Sequence, residues 1–217
     1  MKLSDNTLAV LKNFASINSG VVLTAGKTQK TIHPDKSILV EAVLEDEFAE
    51  TFGIYDLNQF LGNVTTLKNP ELTFTKDSVT LDDGELSLTY LGCSPNLIVT
   101  PPNKELVLKT VDVTFSLTNV TLQKLLKVAN MNALPNLSVV GKDGSLLLKI
   151  HERANDTSNH GSMKIGDYTG KDFTATFKTD NLKLLPDDYN VEIQAGAFSK
   201  FTNAKNTLTY FVALETK

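Results

Sequence analysis

Apolar residues in the first twenty positions recur at helical intervals. Leu8, Leu11, Phe14, Ala15 and Ile17 fall on one side of a wheel, and Asp5, Lys12, Asn13 and Ser16 on the other. Ser4 suits the N-cap and Gly20 the stop, so the pattern predicts a helix over 4–19. Leu57, Phe60, Leu61 and Val64 repeat the spacing over 56–67, with Asp56 in the first turn and Asn58, Gln59 and Asn63 outward. A third helix is predicted over 118–133, with Leu122, Leu125, Leu126 and Ala129 inward and Gln123, Lys124, Lys127 and Asn130 outward. A short fourth follows Thr179, with Leu182 and Leu185 inward and Lys183 outward, and Pro186 ends it.

Between the helices lie short alternating or apolar runs that predict strands over 20–24, 37–43, 72–75, 78–81 and 85–91. In the second half they cover 137–140, 145–150, 173–177, 189–194 and 208–214. Asp82-Asp83-Gly84 and Lys142-Asp143-Gly144 mark hairpin turns. The order of elements is thus written twice. Phe52-Gly53-Ile54-Tyr55-Asp56-Leu57 in the first half answers Phe177-Lys178-Thr179-Asp180-Asn181-Leu182 in the second, each a strand running into an Asp-led helix start. The segment 95–103, bounded by Pro95 and by Pro101-Pro102, reads as an extended linker. The expectation is an α+β chain of two domains, 1–103 with its linker and 104–217, and 217 residues suffice for two cores.

Composition narrows the function. Hydrophobic residues are 41% and charged residues 21%, as in ordinary globular proteins. No run is long and apolar enough for a membrane span or signal core, which predicts a cytoplasmic protein without membrane contact. Lone Cys93 allows no internal disulfide and reads as a small apolar filler. With 21 basic against 25 acidic residues, general coating of nucleic acid is disfavoured, and any DNA contact must be local. Arg153 is the one arginine among those 21, so base reading through bidentate Arg is excluded as a design.

Charge is nevertheless sorted by element. The four helical segments and their flanks hold Lys2, Lys12, Lys124, Lys127, Lys178 and Lys183 against Asp5, Asp56 and Asp180, a net of +3. Elsewhere stand 15 basic and 22 acidic residues, a net of −7. The helix faces are otherwise Asn, Gln and Ser, and such a face suits phosphate backbones. Amphipathic helices also put Lys outward for solvation alone, so the charges by themselves leave both readings open.

Signatures of nucleotide cradles and hydrolases are missing, and no nucleophile stands beside a base. His151 and His160 near Asp156 read as solvated loop residues rather than a metal site, and His33 before Pro34-Asp35 as part of a turn. Asp82, Asp83 and Glu85 are explained by their hairpin tip. Glu41, Glu45, Asp46, Glu47 and Glu50 read as a solvated outer surface. No catalytic residue, cofactor or metal is therefore expected.

A resemblance runs along nearly the whole chain. It begins at Met1-Lys2-Leu3-Ser4 and continues through Leu11-Lys12-Asn13-Phe14-Ala15, Ile17-Asn18-Ser19-Gly20, Ile54-Tyr55-Asp56-Leu57-Asn58 and Phe60-Leu61-Gly62. It resumes at Pro102-Asn103-Lys104, Leu122-Gln123, Leu125-Leu126, Val128, Gly166-Asp167-Tyr168, Gly170, Pro186, Tyr189 and Val212-Ala213-Leu214-Glu215. In these residues the chain resembles the sliding clamps, or DNA polymerase processivity factors, of T-even-type bacteriophages. Residues 26–35 and 152–162 show little match, and the second helix has no lysine before Lys68.

The resemblance implies a DNA clamp fold, with helices on the inner face of antiparallel sheets. It implies a head-to-tail homotrimeric ring around duplex DNA that tethers the replicative DNA polymerase and is placed by a clamp loader ATPase complex in the host cytoplasm. Lys2, Lys12, Lys124, Lys127, Lys178 and Lys183 would face the DNA. The hydrophobic pocket of such clamps, which takes C-terminal peptides of polymerase and loader, has its nearest candidates here in Leu97, Ile98, Val99, Tyr210 and Val212. The alternative is a phage structural or adhesive β-rich protein without DNA binding, to which the many Ser, Thr and Asn positions would be suited.

Overall fold

The computed structural model describes residues 1–155 and 157–215. The chain divides into two compact units, Met1–Glu105 and Leu106–Lys217. In the first, α1 (Asp5–Ile17) is followed by β1 (Val21–Leu23), β2 (Gly26–Ile32), β3 (Ile38–Phe48), β4 (Phe52–Ile54), α2 (Leu57–Thr66), β5 (Glu71–Phe74), β6 (Ser78–Asp82) and β7 (Ser87–Leu91). In the second come β8 (Val113–Leu117), α3 (Asn119–Met131), β9 (Asn136–Lys142), β10 (Ser145–His151), β11 (Gly161–Asp167) and β12 (Phe173–Lys178). β13 (Tyr189–Ile193), β14 (Phe198–Asn203) and β15 (Leu208–Ala213) complete it.

The pairings repeat. β1 pairs with β4, β2 with β3, and β5-β6-β7 form a meander, all antiparallel. The second unit matches this with β12-β9-β10-β11 and β13-β14-β15. Its additional β8 lies along β13. In the first unit Met1 takes that place, because its N and O exchange 2.7 Å bonds with Leu72 of β5. Where the second unit has a full β9–β10 ladder, the first uses Gln29. That side chain is fully buried, donates to the carbonyls of Thr24 and Gly26, and accepts the Thr24 N–H, so the turn from β1 into β2 keeps its polar groups paired.

Each helix starts at a side-chain cap. Ser4 accepts from Thr7 N–H, Asp56 from Gln59 N–H and Thr118 from Thr121 N–H. The buried stripe of α1 is Thr7, Val10, Leu11, Phe14 and Ile17, and it packs across β2 and β3 and beside α2. Leu8 and Ala15, expected inward, are half-buried. α2 buries Leu57, Phe60, Leu61 and Val64 as the spacing requires. α3 buries Leu122, Leu125 and Ala129, leaving Leu126 half-buried. Edge-to-face rings fill both cores, with Phe60 against Tyr90 in the first and Phe177-Phe201-Tyr189-Tyr210 in the second.

Several expectations are corrected. α1 stops at Ile17 with Asn18 as its C-cap in an extended conformation, not at Gly20. Strands β2, β8, β11 and β14 lie where none was predicted. The segment 95–103 is not extended throughout, since Pro95–Leu97 is a 3-10 turn. His151 is not a loop residue: it ends β10, and its Nε2 meets Ser138 Oγ at 2.8 Å. Burial, and then Lys149 and Arg153, hold its imidazole below the ordinary value. Asp156, weighed with it, lies outside the described residues.

The predicted fourth helix is a 3-10 turn, Thr179–Asn181, followed by an irregular strap to β13. In the strap Leu182 and Leu184 are buried and Lys183 exposed, a period of two rather than 3.6. Only five residues separate Asp180 from Pro186, too few to offset helix nucleation, and the proline pushes Leu185 out of the helical region. Two tyrosines then hold Leu185 in place: its N–H donates to Tyr210 Oη at 3.1 Å and its carbonyl accepts from Tyr189 Oη at 2.7 Å.

Burial raises both phenols, that of Tyr189 strongly and that of Tyr210 to about 12. Their protons are therefore lost first from the unfolded chain, near the ordinary value of about 10. The tyrosines' contribution to stability should be constant up to pH near 10 and then fall by about 1.4 kcal/mol per pH unit for each of them, until Tyr210 itself ionises near pH 12. Tyr210→Phe leaves the Leu185 N–H unpaired, should cost ~1–3 kcal/mol at neutral pH, and should make the alkaline fall shallower in urea titrations.

Candidate nucleic-acid interface

Burying one stripe of each helix turns the opposite stripe away from the sheets; that stripe is mostly polar in α1 and α2, and in α3 it mixes polar residues and lysines with exposed Val120, Val128 and Met131. On α1 the exposed positions are Asp5, Asn6, Ala9, Lys12 and Ser16; on α2 they include Asn58, Gln59, Gly62, Thr65 and Thr66. On α3 they are Val120, Gln123, Lys124, Lys127, Val128, Asn130 and Met131.

The six candidate lysines are all exposed, but they occupy different settings. Lys124 and Lys127 stand together on α3. Lys12 rims a groove of about 520 Å³ between α1 and α2, floored by Leu8, Val64 and Leu72. Lys2 lies in a separate depression with Lys68, Glu71 and the Asp82-Asp83-Gly84 turn. Lys178 ends β12 rather than a helix and sits 3.5 Å from Glu215, and Lys183 is on the strap. Only Lys12, Lys124 and Lys127 of the six therefore stand on a helix, and the missing fourth helix leaves Lys183 off any helix face.

Distant carboxylates fix where the long helices begin. Asp46 of β3 accepts the Ser4 N–H at 2.7 Å, and Asp188 of the strap accepts the Asn119 N–H at 2.7 Å. Burial raises the Asp46 carboxyl, but hydrogen bonds from Ser4 and Thr7 outweigh it and hold the group below the ordinary range. The acidic stretch is therefore divided. Glu45 and Glu47 face solvent while Asp46 faces α1, which the alternation along β3 would have signalled had the strand been extended to Phe48. Asp83 is likewise committed, accepting the N–H groups of Lys68, Leu86 and Glu85 at the hairpin tip. His33 Nδ1 contacts Asp35 at 2.6 Å within its turn.

The candidate pocket residues separate by burial. Leu97 is 66% and Val99 46% exposed, whereas Ile98 is buried toward Gly20. Tyr210 and Val212 are wholly buried in β15, inside the core of the second unit, and so offer no surface to a peptide. Beside the exposed pair runs a groove of about 440 Å³ lined by Val22, Thr24, Lys30, Pro95, Pro101 and Pro102, which sequence reading did not anticipate because β2 was not recognised. Asn18 supports this segment, its side-chain amide donating to the carbonyls of Val99 and Ile32 at 3.0 Å.

Comparison with known proteins accounts for nearly the whole chain. Residues 3–91 match the family model described as DNA polymerase processivity factor, and residues 114–216 match the C-terminal domain of the gp45 sliding clamp. The chain is 31% identical to the sliding clamp of Vibrio phage KVP40, over 99% of both chains, and 29% identical to that of Enterobacteria phage T4, over 99% of this chain and 97% of the relative. Among solved structures, PCNA of A. fulgidus bound to the C-terminal region of FEN-1 superposes with a TM-score of 0.71 at 13% identity, covering 97% of this chain and 95% of that one. Caulobacter crescentus pol III beta gives 0.70 at 10% identity, covering 100% of this chain and 66% of that one. At these identities the structural likeness carries the fold alone.

Thr118→Ala removes the cap that starts the lysine-bearing helix and should lower stability by about 1 kcal/mol in chemical denaturation. Asp188→Ala should add to this less than its own single cost, because both groups serve the same helix terminus.

Proposed function

The chain belongs to the DNA polymerase processivity factors, the phage sliding clamps, and on that premise we propose that three copies close into a ring around duplex DNA and hold the replicative polymerase to it. The match over 3–91 and 114–216 leaves no segment of domain size to a structural or adhesive role, which overturns that alternative. Membership of the family implies a protein that catalyses nothing itself and acts where phage DNA is replicated, in the host cell. Among the described residues no helix is long and apolar enough to cross a membrane.

The observation that carries the proposal is one topology built twice with an uncharged-polar and lysine face on its helices. A head-to-tail joint between copies closes under threefold rotation without leaving free ends. Two unpaired sheet edges support such a joint. β7 is the outer strand of its meander, with Leu91 at its end 74% and Leu86 just before it 58% exposed, and β11 is the outer strand of β11-β10-β9-β12. Open edges with apolar side chains are templates for pairing with another chain.

Lysines contacting phosphates, with no arginine fork to read bases, bind without register and let the ring move along the duplex. Closure keeps it from leaving. A polymerase bound to the ring then rebinds the primer end at high effective concentration, so its dissociation becomes a local event. Leu97, Val99 and the groove beside them supply the apolar surface for C-terminal peptides of the polymerase and of a clamp loader ATPase.

Light scattering should give three times the 23.7 kDa protomer mass. Leu91→Lys should shift the population toward monomer and shorten polymerase products. A wild-type chain that stays monomeric at high concentration, with no effect on product length, overturns the proposal. Leu97→Ser with Val99→Ser should leave the mass unchanged and weaken capture of a polymerase C-terminal peptide by about tenfold, the equivalent of ~1.4 kcal/mol.

A further inference from the structure

Of the three helices, only α3 has a net charge. α1 sets Lys12 against Asp5, α2 contains no ionisable side chain, and α3 contains Lys124 and Lys127 with no carboxylate. Two of the other candidate lysines have carboxylates close by. Lys178 pairs with Glu215, and Lys2 shares its depression with Glu71, Asp82 and Asp83. Lys124 and Lys127 form no ion pair among the described residues.

The geometry of α3 strengthens the contrast. Val120, Lys124, Lys127 and Met131 follow one another at i, i+4, i+7 and i+11 and so share one stripe. Val120 and Met131 are each 77% exposed, so the stripe is uncovered from end to end. The two lysines are separated by about 4.5 Å along the axis. Residues three apart on a helix are neighbours on its surface, and the flexible four-carbon stem of each lysine lets both ammonium groups reach the phosphates of one strand together.

We propose that the duplex is held by the second unit, with α3 as its phosphate-contacting element, while α1 and α2 form a neutral wall. This rests on the clamp reading. A trimer then carries three positive stations rather than six, separated by stretches of Asn, Gln, Ser and Thr that carry no charge. The phosphate contribution is confined to a few lysines, which keeps attraction weak enough for movement.

The test is the salt dependence of binding between the trimer and a short blunt-ended duplex, followed by fluorescence anisotropy. Lys124→Gln with Lys127→Gln should reduce the slope of log affinity against log salt by about 0.9 for each phosphate that is no longer neutralised. Lys2→Gln with Lys12→Gln should leave the slope unchanged, and Lys124→Arg with Lys127→Arg should restore it. All these side chains are exposed, and equal melting temperatures confirm that the fold is intact. Equal reductions by the two Gln pairs, or a reduction by the Lys2 and Lys12 pair alone, overturn the inference. A salt-dependent wild type that neither pair changes overturns it as well and leaves the clamp reading standing. A wild-type trimer with no salt-dependent binding and no effect on polymerase product length overturns both.

Discussion

Burial of one stripe of each helix against the sheets is the constraint on which the rest depends. Leu11, Phe14, Leu57, Phe60 and Ala129 have no exposed surface, and each square ångström of apolar area removed from water contributes ~25 cal/mol. That burial fixes the rotation of each helix about its axis. The opposite stripe has then no packing duty, and its composition is decided by what it meets. Its polar residues are chiefly Asn, Gln, Ser, Thr and Lys, beside exposed Val120, Val128 and Met131 on α3, and it holds no arginine, although arginine would grip phosphate in a rigid fork. A surface that attracts without gripping suits a partner that must keep moving.

The two units reach one topology by different means. Met1 stands in for β8 beside the meander, Gln29 replaces a stretch of ladder between β1 and β2, and the strap replaces α2. The last exchange has the largest consequence, because the strap is held by Tyr189 and Tyr210 through the two polar groups of Leu185. In both units the amide that opens the following helical turn donates to a carbonyl just beyond the preceding long helix, Leu57 N–H to Ser19 and Thr179 N–H to Pro135. The connection between first helix and second helical turn is kept in both units even where the second helix is not.

Much of this was legible in the residues and some of it was not, for physical reasons. Helices α1, α2 and α3 carry strong 3.6-residue periodicity and clear caps, so their existence and buried faces follow from spacing. Their flank positions Leu8, Ala15 and Leu126 are decided by neighbours that spacing does not reveal. The fourth helix failed because Leu182 and Leu185 fit a helical interval while Pro186 and two distant tyrosines control the backbone. β2 and β14 escaped notice because Gln29 and Ser199 are buried polar residues, satisfied by partners that only the fold supplies. Tyr210 and Val212 were apolar candidates near the chain end. Position in sequence could not distinguish a pocket lining from the centre of β15, where both lie. Asp46 appeared as one more surface acid, and its role at the start of α1 depends on which side of β3 it faces.

In the proposed ring, closure around DNA would convert weak, register-free contacts into lasting association, since affinity of this kind disappears at high salt while a threaded ring does not. The most direct measurement is the lifetime of the loaded protein on covalently closed circular DNA at high salt, before and after the circle is cut once. The account predicts long retention on the circle and rapid loss from the linear product. Equal lifetimes on the two, whether long or short, would contradict it.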